Sequence, residues 1–325
     1  MFFRSRELPR AVSRDQPRSL GLALVLSTAV ISGVAAFVNT FAVAAGTNSD
    51  AFITTRNALV AFLLVPVFLW SRKVQTRHLR PYDWPRLAAI GLIGGAIPFL
   101  LFFRGLQLAG EGVTTASFLY RTLFLMAAVL GIVVLRERPS WRLGAASVAL
   151  LGGNALLVSL KDPLWTDGAL LVLIATGLWA VEYTISKHAL RDLSPSVVAL
   201  GRMGFGAAFM AAYLVASAQV AAVGAFTAVQ LQWIVLSALI NLGFVTTWYA
   251  GLRHVDLSVA ASVLLLAFPI TVVLSAVAGR GPFTIATAAG ASAVAFGVVL
   301  VIGLAAMRDA WIDALRFLAR RGAPQ

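Results

Sequence analysis

The chain has 325 residues, of which 60% are hydrophobic and 12% charged, with a mean hydropathy of +0.88. A soluble fold of this length would leave too much of that apolar surface in water, whereas hydrophobic runs of roughly 20 residues bury it in a bilayer. With no cysteine, disulfides, thiolate metal sites and cysteine nucleophiles are excluded, and His78, His188 and His254 form no pair at metal-ligand spacing.

Residues 1–19 carry Arg4, Arg6, Arg10, Arg14 and Arg18 among prolines and polar residues and read as a basic arm. The run from Leu20 to Gly46 is too long for a signal-peptide core and lacks a convincing cleavage site, so it reads as a first membrane helix. Hydropathy then predicts helices over 20–45, 51–71, 85–108, 112–135 and 141–160, followed by 166–188, 195–217, 229–252, 256–278 and 283–306. The Ala-rich stretch 216–229 is the least defined boundary. The expected fold is therefore an all-α integral membrane protein with ten transmembrane helices, as two inverted five-helix repeats.

The basic residues set the orientation. With the N-terminus inside, the inner segments hold 20 of the Lys and Arg residues, the outer loops hold Lys161 and Arg280, and four arginines fall within helices. Both termini are expected to be cytoplasmic. The net charge of +13 is then explained by contact with an anionic leaflet, not with nucleic acid.

The repeat shows at an offset of about 145 residues. Phe102 to Leu108 with Thr115-Ala116-Ser117 recurs as Tyr249 to Arg253 with Ala260-Ala261-Ser262, and Asp50 to Arg56 is echoed by Ser196 to Arg202. Ala145, Ala149 and Gly153 form a small-residue stripe that Ala289, Ala293 and Gly297 repeat, the pattern of close helix packing. Five spans per half invert the second half relative to the first, the arrangement by which secondary transporters alternate access to a site between repeats.

Several segments resemble the drug/metabolite transporter superfamily, in particular its EamA-like branch. Leu135-Arg136-Glu137-Arg138-Pro139 resembles the Glu-Arg signature closing the fourth helix, and Gly177-Leu178-Trp179-Ala180-Val181 resembles the opening helix of the second repeat. Leu193-Ser194-Pro195 followed by Arg202 resembles its sequel, and Phe103-Arg104-Gly105-Leu106 stands where the family has Tyr-Ala-Leu. The first helix has Ile31-Ser32-Gly33 in place of the family's Trp-Gly, the second repeat lacks the signature Glu, and Arg121 replaces a small or apolar residue. The resemblance implies a first repeat over 20–160, a second over 161–306, a basic tail over 307–325, and metabolite transport with export favoured over import.

Ionisable side chains inside a bilayer are costly and mark sites or pairs. Glu182 and Arg202 fall at similar depth on adjoining helices, as a structural ion pair or a proton-coupling carboxylate with its partner. Arg56, the counterpart of Arg202, is expected to brace the bundle. Arg104 and Arg121 flank one outer turn with no acid at matching depth except Glu111, which points to a cavity for a carboxylate or phosphate. Phe99, Phe103, Tyr120, Trp179, Tyr183, Trp248 and Tyr249 lie at cavity depth, the first two and Tyr120 from the first half. The expected substrate-binding set is Arg104, Arg121, Phe99, Tyr120, Trp179, Tyr183, Trp248 and Tyr249. Asn39 and Asn241 read as interhelical hydrogen-bond partners, and Pro66, Pro98 and Pro269 are expected to interrupt helices two, three and nine.

The expected activity is secondary transport of small metabolites, such as amino acids or other carboxylate-bearing solutes, across the cytoplasmic membrane. No Gly-x-x-x-x-Gly-Lys loop offers ATP coupling, and no cofactor or metal is implied. The expected partners are the solute and the bilayer, without nucleic acid, and self-association into a homo-oligomer stays open. An intramembrane enzyme would need His188 or His254 in a buried cluster with an acid, and a non-transporting scaffold would lack a cavity.

Overall fold

Because the bilayer core offers the backbone no water, each long apolar run closes its own hydrogen bonds as a helix. A computed structural model describes residues 18–45, 48–74, 79–109, 118–158, 166–280 and 284–303. The first half comprises α1 (Arg18–Ala44), α2 (Ser49–Val74), α3 (Asp83–Gly95), α4 (Ile97–Ala109), α5 (Phe118–Val133) and α6 (Trp141–Val158). The second comprises α7 (Asp167–Ala189), α8 (Pro195–Ala216), the short α9 (Ala221–Gly224), α10 (Ala228–His254), α11 (Leu257–Leu264), α12 (Ala267–Val277) and α13 (Ile285–Ile302). Among the described residues, eight spans are long and apolar enough to cross a membrane, with α3–α4 and α11–α12 each forming one broken span. The shorter α5 is a further apolar helix, and α6 packs along α13. The stretch 216–229 is the α8–α10 connection, and α9 interrupts it. The basic arm, beyond Arg18 and Ser19, and the tail lie outside the described residues.

Local chemistry sets the helix starts at one end of the bundle. The side chains of Thr166, Thr227 and Thr284 accept the N–H of Ala169, Gln230 and Thr287 and cap α7, α10 and α13. The opposite, basic end carries the connections 133–141, 189–195 and 254–257, with Arg136, Arg138 and Arg191 among them.

The helices pair across the two halves in a pattern that repeats itself. The second spans pack on each other (α2 on α8), as do the fourth (α5 on α11) and the fifth (α6 on α13). The first span of each half packs on the third of the other: α1 lies along α10, and α7 along α3 and α4. Matching glycines close the two equivalent crossings. A Cβ on Gly251 would come 3.1 Å from the Gly21 carbonyl oxygen, and one on Gly105 would come 2.7 Å from that of Gly168. These glycines are offset by 146–147 residues, and the Gly105 and Gly251 pair lies in the duplicated Phe-Phe-Arg-Gly-Leu and Tyr-Ala-Gly-Leu segments.

The fifth spans meet as the small-residue stripes imply, but on a rotated face. Gly153 and Gly297 are buried in the α6–α13 contact, whereas Ala145 and Ala289 are exposed and their neighbours Ala146 and Gly290 take their places. A step of four residues drifts about 40° around a helix, so a stripe of three leaves the contact line.

Two of the three prolines act as expected. Pro66 sits inside an unbroken α2. Pro98 and Pro269 stand two and three residues into the helices that follow breaks, at Ala96 and at Leu265–Leu266. The fourth span of the first half also breaks, at Thr122, without a proline. Thr122 and Leu266 are 144 residues apart, so the fourth span of each repeat breaks at an equivalent place.

Candidate functional site

The break before Pro98 creates a polar junction inside the bundle. Proline has no N–H to give the carbonyl four residues back, and the Phe99 N–H turns to Ala96, so the Gly94 and Gly95 carbonyls lose their helical partners. Side chains from other spans replace them. The Gly94 oxygen accepts the Trp179 indole N–H at 3.1 Å and the Arg202 Nη2 at 3.1 Å, and the Gly95 oxygen accepts Asn57 Nδ2 at 3.4 Å. The Asn57 amide oxygen in turn accepts from Arg56, whose guanidinium lies over the Phe99 ring at 5.5 Å. Arg56 is thus a brace, as its position opposite Arg202 in the repeat implies.

Glu182 and Arg202 meet at this junction. Arg202 Nε stands 3.5 Å from Glu182 Oε2, and the other carboxylate oxygen accepts the Tyr249 hydroxyl at 2.9 Å and the Ser186 hydroxyl. Glu182 is fully buried and Arg202 is 5% exposed. Gly94 permits the approach, because a Cβ there would crowd the Glu182 side chain and lie 2.9 Å from Arg202 Nε.

Beside this junction lies a cavity of about 250 Å³. It is lined by Ser32 and Ala36 of α1, Tyr120 to Phe124 (less Thr122) around the α5 break, Tyr183 of α7, Phe244 of α10, and residues of α11 and α12 from Ala261 to Thr271. Both repeats contribute, and both fourth-span breaks open onto it. Arg121 stacks its guanidinium on the Phe268 ring, 3.1 Å from Cζ to centroid, across the two breaks. Its Nη1 is buried without a hydrogen-bond partner. On α1, Gly33 lets α12 approach closely, and its carbonyl accepts the Thr271 hydroxyl at 2.9 Å.

The residues singled out from sequence divide into three groups. Arg121, Tyr120 and Tyr183 line the cavity. Trp179 and Trp248 stand behind the tyrosines, with ring centroids 5.4 Å from Tyr120 and 4.7 Å from Tyr183, and Phe99 packs on Trp179 at 5.3 Å. Trp248 and Tyr249 are fully buried core residues and do not line it. Arg104 is the clear departure. It is exposed and lines a separate polar recess of about 540 Å³ with Asn48, Asp50, Phe103, Gln107 and Tyr213 among others. Hence an acid, Asp50, shares its surroundings, and Arg104 and Arg121 do not share one cavity, because position along a hairpin does not fix which way each helix faces. Glu111 lies outside the described residues. Ser32, Phe244, Phe268 and Thr271 were not expected, although Pro269 marks the break that brings the last two to the cavity.

Asn39 and Asn241 act between helices: Ser237 Oγ donates to Asn39 Oδ1 at 2.9 Å, and Asn241 Nδ2 donates to Met203 Sδ at 3.7 Å. His188 is exposed at the basic end, and His254 packs against Gly21.

The model of the EamA-like transporter family matches this chain twice, over residues 19–159 and 166–303. The chain belongs to the EamA-like transporter family. It is thereby a multi-pass membrane protein of the drug/metabolite transporter superfamily. A solved crystal structure, described simply as that of a protein, superposes with a TM-score of 0.73 at 18% identity, covering 89% of this chain and 100% of its own. That likeness speaks for the fold. No curated protein matches the chain in sequence.

In this EamA-like chain the Glu-Arg signature has a structural task. After Val133 the chain turns through Arg136 (φ 59°), and the Glu137 N–H closes on the Gly131 carbonyl at 3.0 Å. The Glu137 carboxylate then accepts the N–H of Leu257 and of Ser258, the latter at 3.0 Å, at the start of α11 in the other repeat. Lys187 donates to the Leu252 and Val255 carbonyls, each at 2.7 Å, at the end of α10. Acid and base thus hold the two sides of the α10–α11 corner with the charge each helix end favours.

Proposed function

We propose that the chain is a secondary transporter that moves small carboxylate-bearing solutes across the cytoplasmic membrane by alternating access, in the direction of export, with both termini cytoplasmic. The observation that carries this reading is the cavity between the repeats, lined by both fourth-span breaks, with an unpartnered Arg121 N–H in its wall. A guanidinium presents planar donors that match a carboxylate. The breaks at Thr122 and at Leu265–Leu266 supply positions where the helix halves can tilt without losing a continuous hydrogen-bond ladder. The 20-to-2 distribution of basic residues supports the orientation, and the family resemblance supports export. Tyr120 and Tyr183 provide contact with the solute, and Trp179 and Trp248 hold those rings in place. Glu182 and Arg202 serve as a brace for the Pro98 junction, since neither lines the cavity and both are engaged by fixed partners.

Counterflow of a radiolabelled metabolite panel in proteoliposomes tests this. Exchange of a carboxylate-bearing solute, abolished in a folded Arg121→Ala variant, is the expected result. No exchange of any solute, or parental exchange in Arg121→Ala, would overturn it.

A further inference from the structure

The charge distribution around the cavity narrows the solute class. Among the described lining residues, Arg121 is a cation and none is an acid. The acid adjoining Tyr183 in sequence, Glu182, is taken up by Arg202, Tyr249 and Ser186. Among the described residues between the helix ends, Glu182 is the one carboxylate beside Arg56, Arg121 and Arg202, and it pairs with Arg202, so Arg56 and Arg121 are two positive charges in excess. In a low-dielectric interior such an excess favours an anion and opposes a second cation.

The rest of the lining is apolar apart from hydroxyls. Leu123, Phe124, Phe244, Leu264, Leu265 and Phe268 supply carbon surface. Phe268 covers one face of the Arg121 guanidinium, which leaves the in-plane N–H edge as the approach for a ligand. At roughly 30 Å³ for each water-sized group, the cavity admits on the order of ten non-hydrogen atoms. An ammonium group in it would give up water without gaining a carboxylate.

We infer that the cavity selects a monoanion with an apolar, ring-sized body and discriminates against the zwitterion of the same skeleton. Simple aromatic or branched organic acids fit; free amino acids do not. The inference rests on the reading of this cavity as the solute site.

Three compounds of one skeleton test it: 3-phenylpropanoate, phenylalanine and 2-phenylethylamine. Each is titrated into the purified full-length protein, with tryptophan fluorescence and thermal unfolding as readouts, and each is offered in counterflow. The expected order is 3-phenylpropanoate first, phenylalanine weaker by roughly ten- to hundredfold, and the amine last. Arg121→Gln is expected to remove the preference for 3-phenylpropanoate, and Arg121→Lys to retain part of it. Equal or tighter binding of phenylalanine or the amine would overturn the inference. So would no binding of 3-phenylpropanoate, or binding that Arg121→Gln leaves unchanged, which is nonspecific partitioning. Should Arg121→Gln fail to fold, the order of the three compounds on the parent protein decides alone. Selective binding without exchange would sink the transport reading and leave the ligand class standing. Exchange that favours the amine or the zwitterion would do the reverse.

Discussion

Glu137 of the first repeat accepts the backbone N–H of Ser258 in the second, at 3.0 Å, and with the Leu257 N–H it closes the start of α11. Those N–H groups open the helix and have no partner within it. Glu137→Ala is expected to destabilise the protein by about 1–2 kcal/mol, the usual cost of losing a cap. Glu137→Gln keeps an amide oxygen and should lose about half as much. Thermal unfolding in detergent measures both, and an equal loss in the two variants would refute the capping role.

The Glu182–Arg202 pair makes a different prediction. Taking one partner of a buried pair leaves the other charge without compensation, at about 3–5 kcal/mol. Glu182→Gln and Arg202→Met are each expected to be strongly destabilised, and the double variant less so than the sum. A double-mutant cycle on unfolding measures the coupling. On the proposed bracing role, the pH profile of exchange in Glu182→Gln should follow that of the parent; a profile that flattens would make Glu182 a coupling group instead.

Gly94 and Gly177 offer a matched contrast. A Cβ at Gly94 would meet the Glu182 carboxyl carbon at 2.7 Å, while one at Gly177 meets nothing within 4 Å. Gly94→Ala is expected to cost about 1–3 kcal/mol through overpacking. Gly177→Ala should be neutral or slightly stabilising, because alanine is the better helix former. Comparable unfolding temperatures for the two would contradict the packing described.

Much of the fold follows from short-range rules that a sequence exposes. The apolar spans, the duplication, and the meeting of Glu182 with Arg202 all depend on helix depth, which the 1.5 Å rise per residue fixes. What lies around each helix depends on rotation and tilt, which depth does not fix. Hence Arg104 and Arg121, placed together by depth along one hairpin, open into separate cavities. Trp248 and Tyr249, aromatic and central, turn into the core. The α5 break at Thr122 has no proline to announce it; it is visible only as the repeat counterpart of the break before Pro269.

Pro98 joins the helix break to the site, and replacing it separates two effects. The Gly94 carbonyl accepts Trp179 and Arg202 because residue 98 has no N–H to offer it. Pro98→Ala restores that donor and removes the ring that clashes with the carbonyl. As α3 and α4 straighten, the new backbone bond competes with both side chains for one oxygen. Trp179, with its indole N–H released, loses its fixed place behind Tyr120, 5.4 Å away. The expected result is a protein that unfolds within about 1 kcal/mol of the parent, since one hydrogen bond replaces another. Its counterflow rate should nevertheless fall, with a blue or red shift in tryptophan emission reporting the moved indole. Unchanged emission and unchanged rate would show that the Gly94 carbonyl is held open by the surrounding helices and not by the proline.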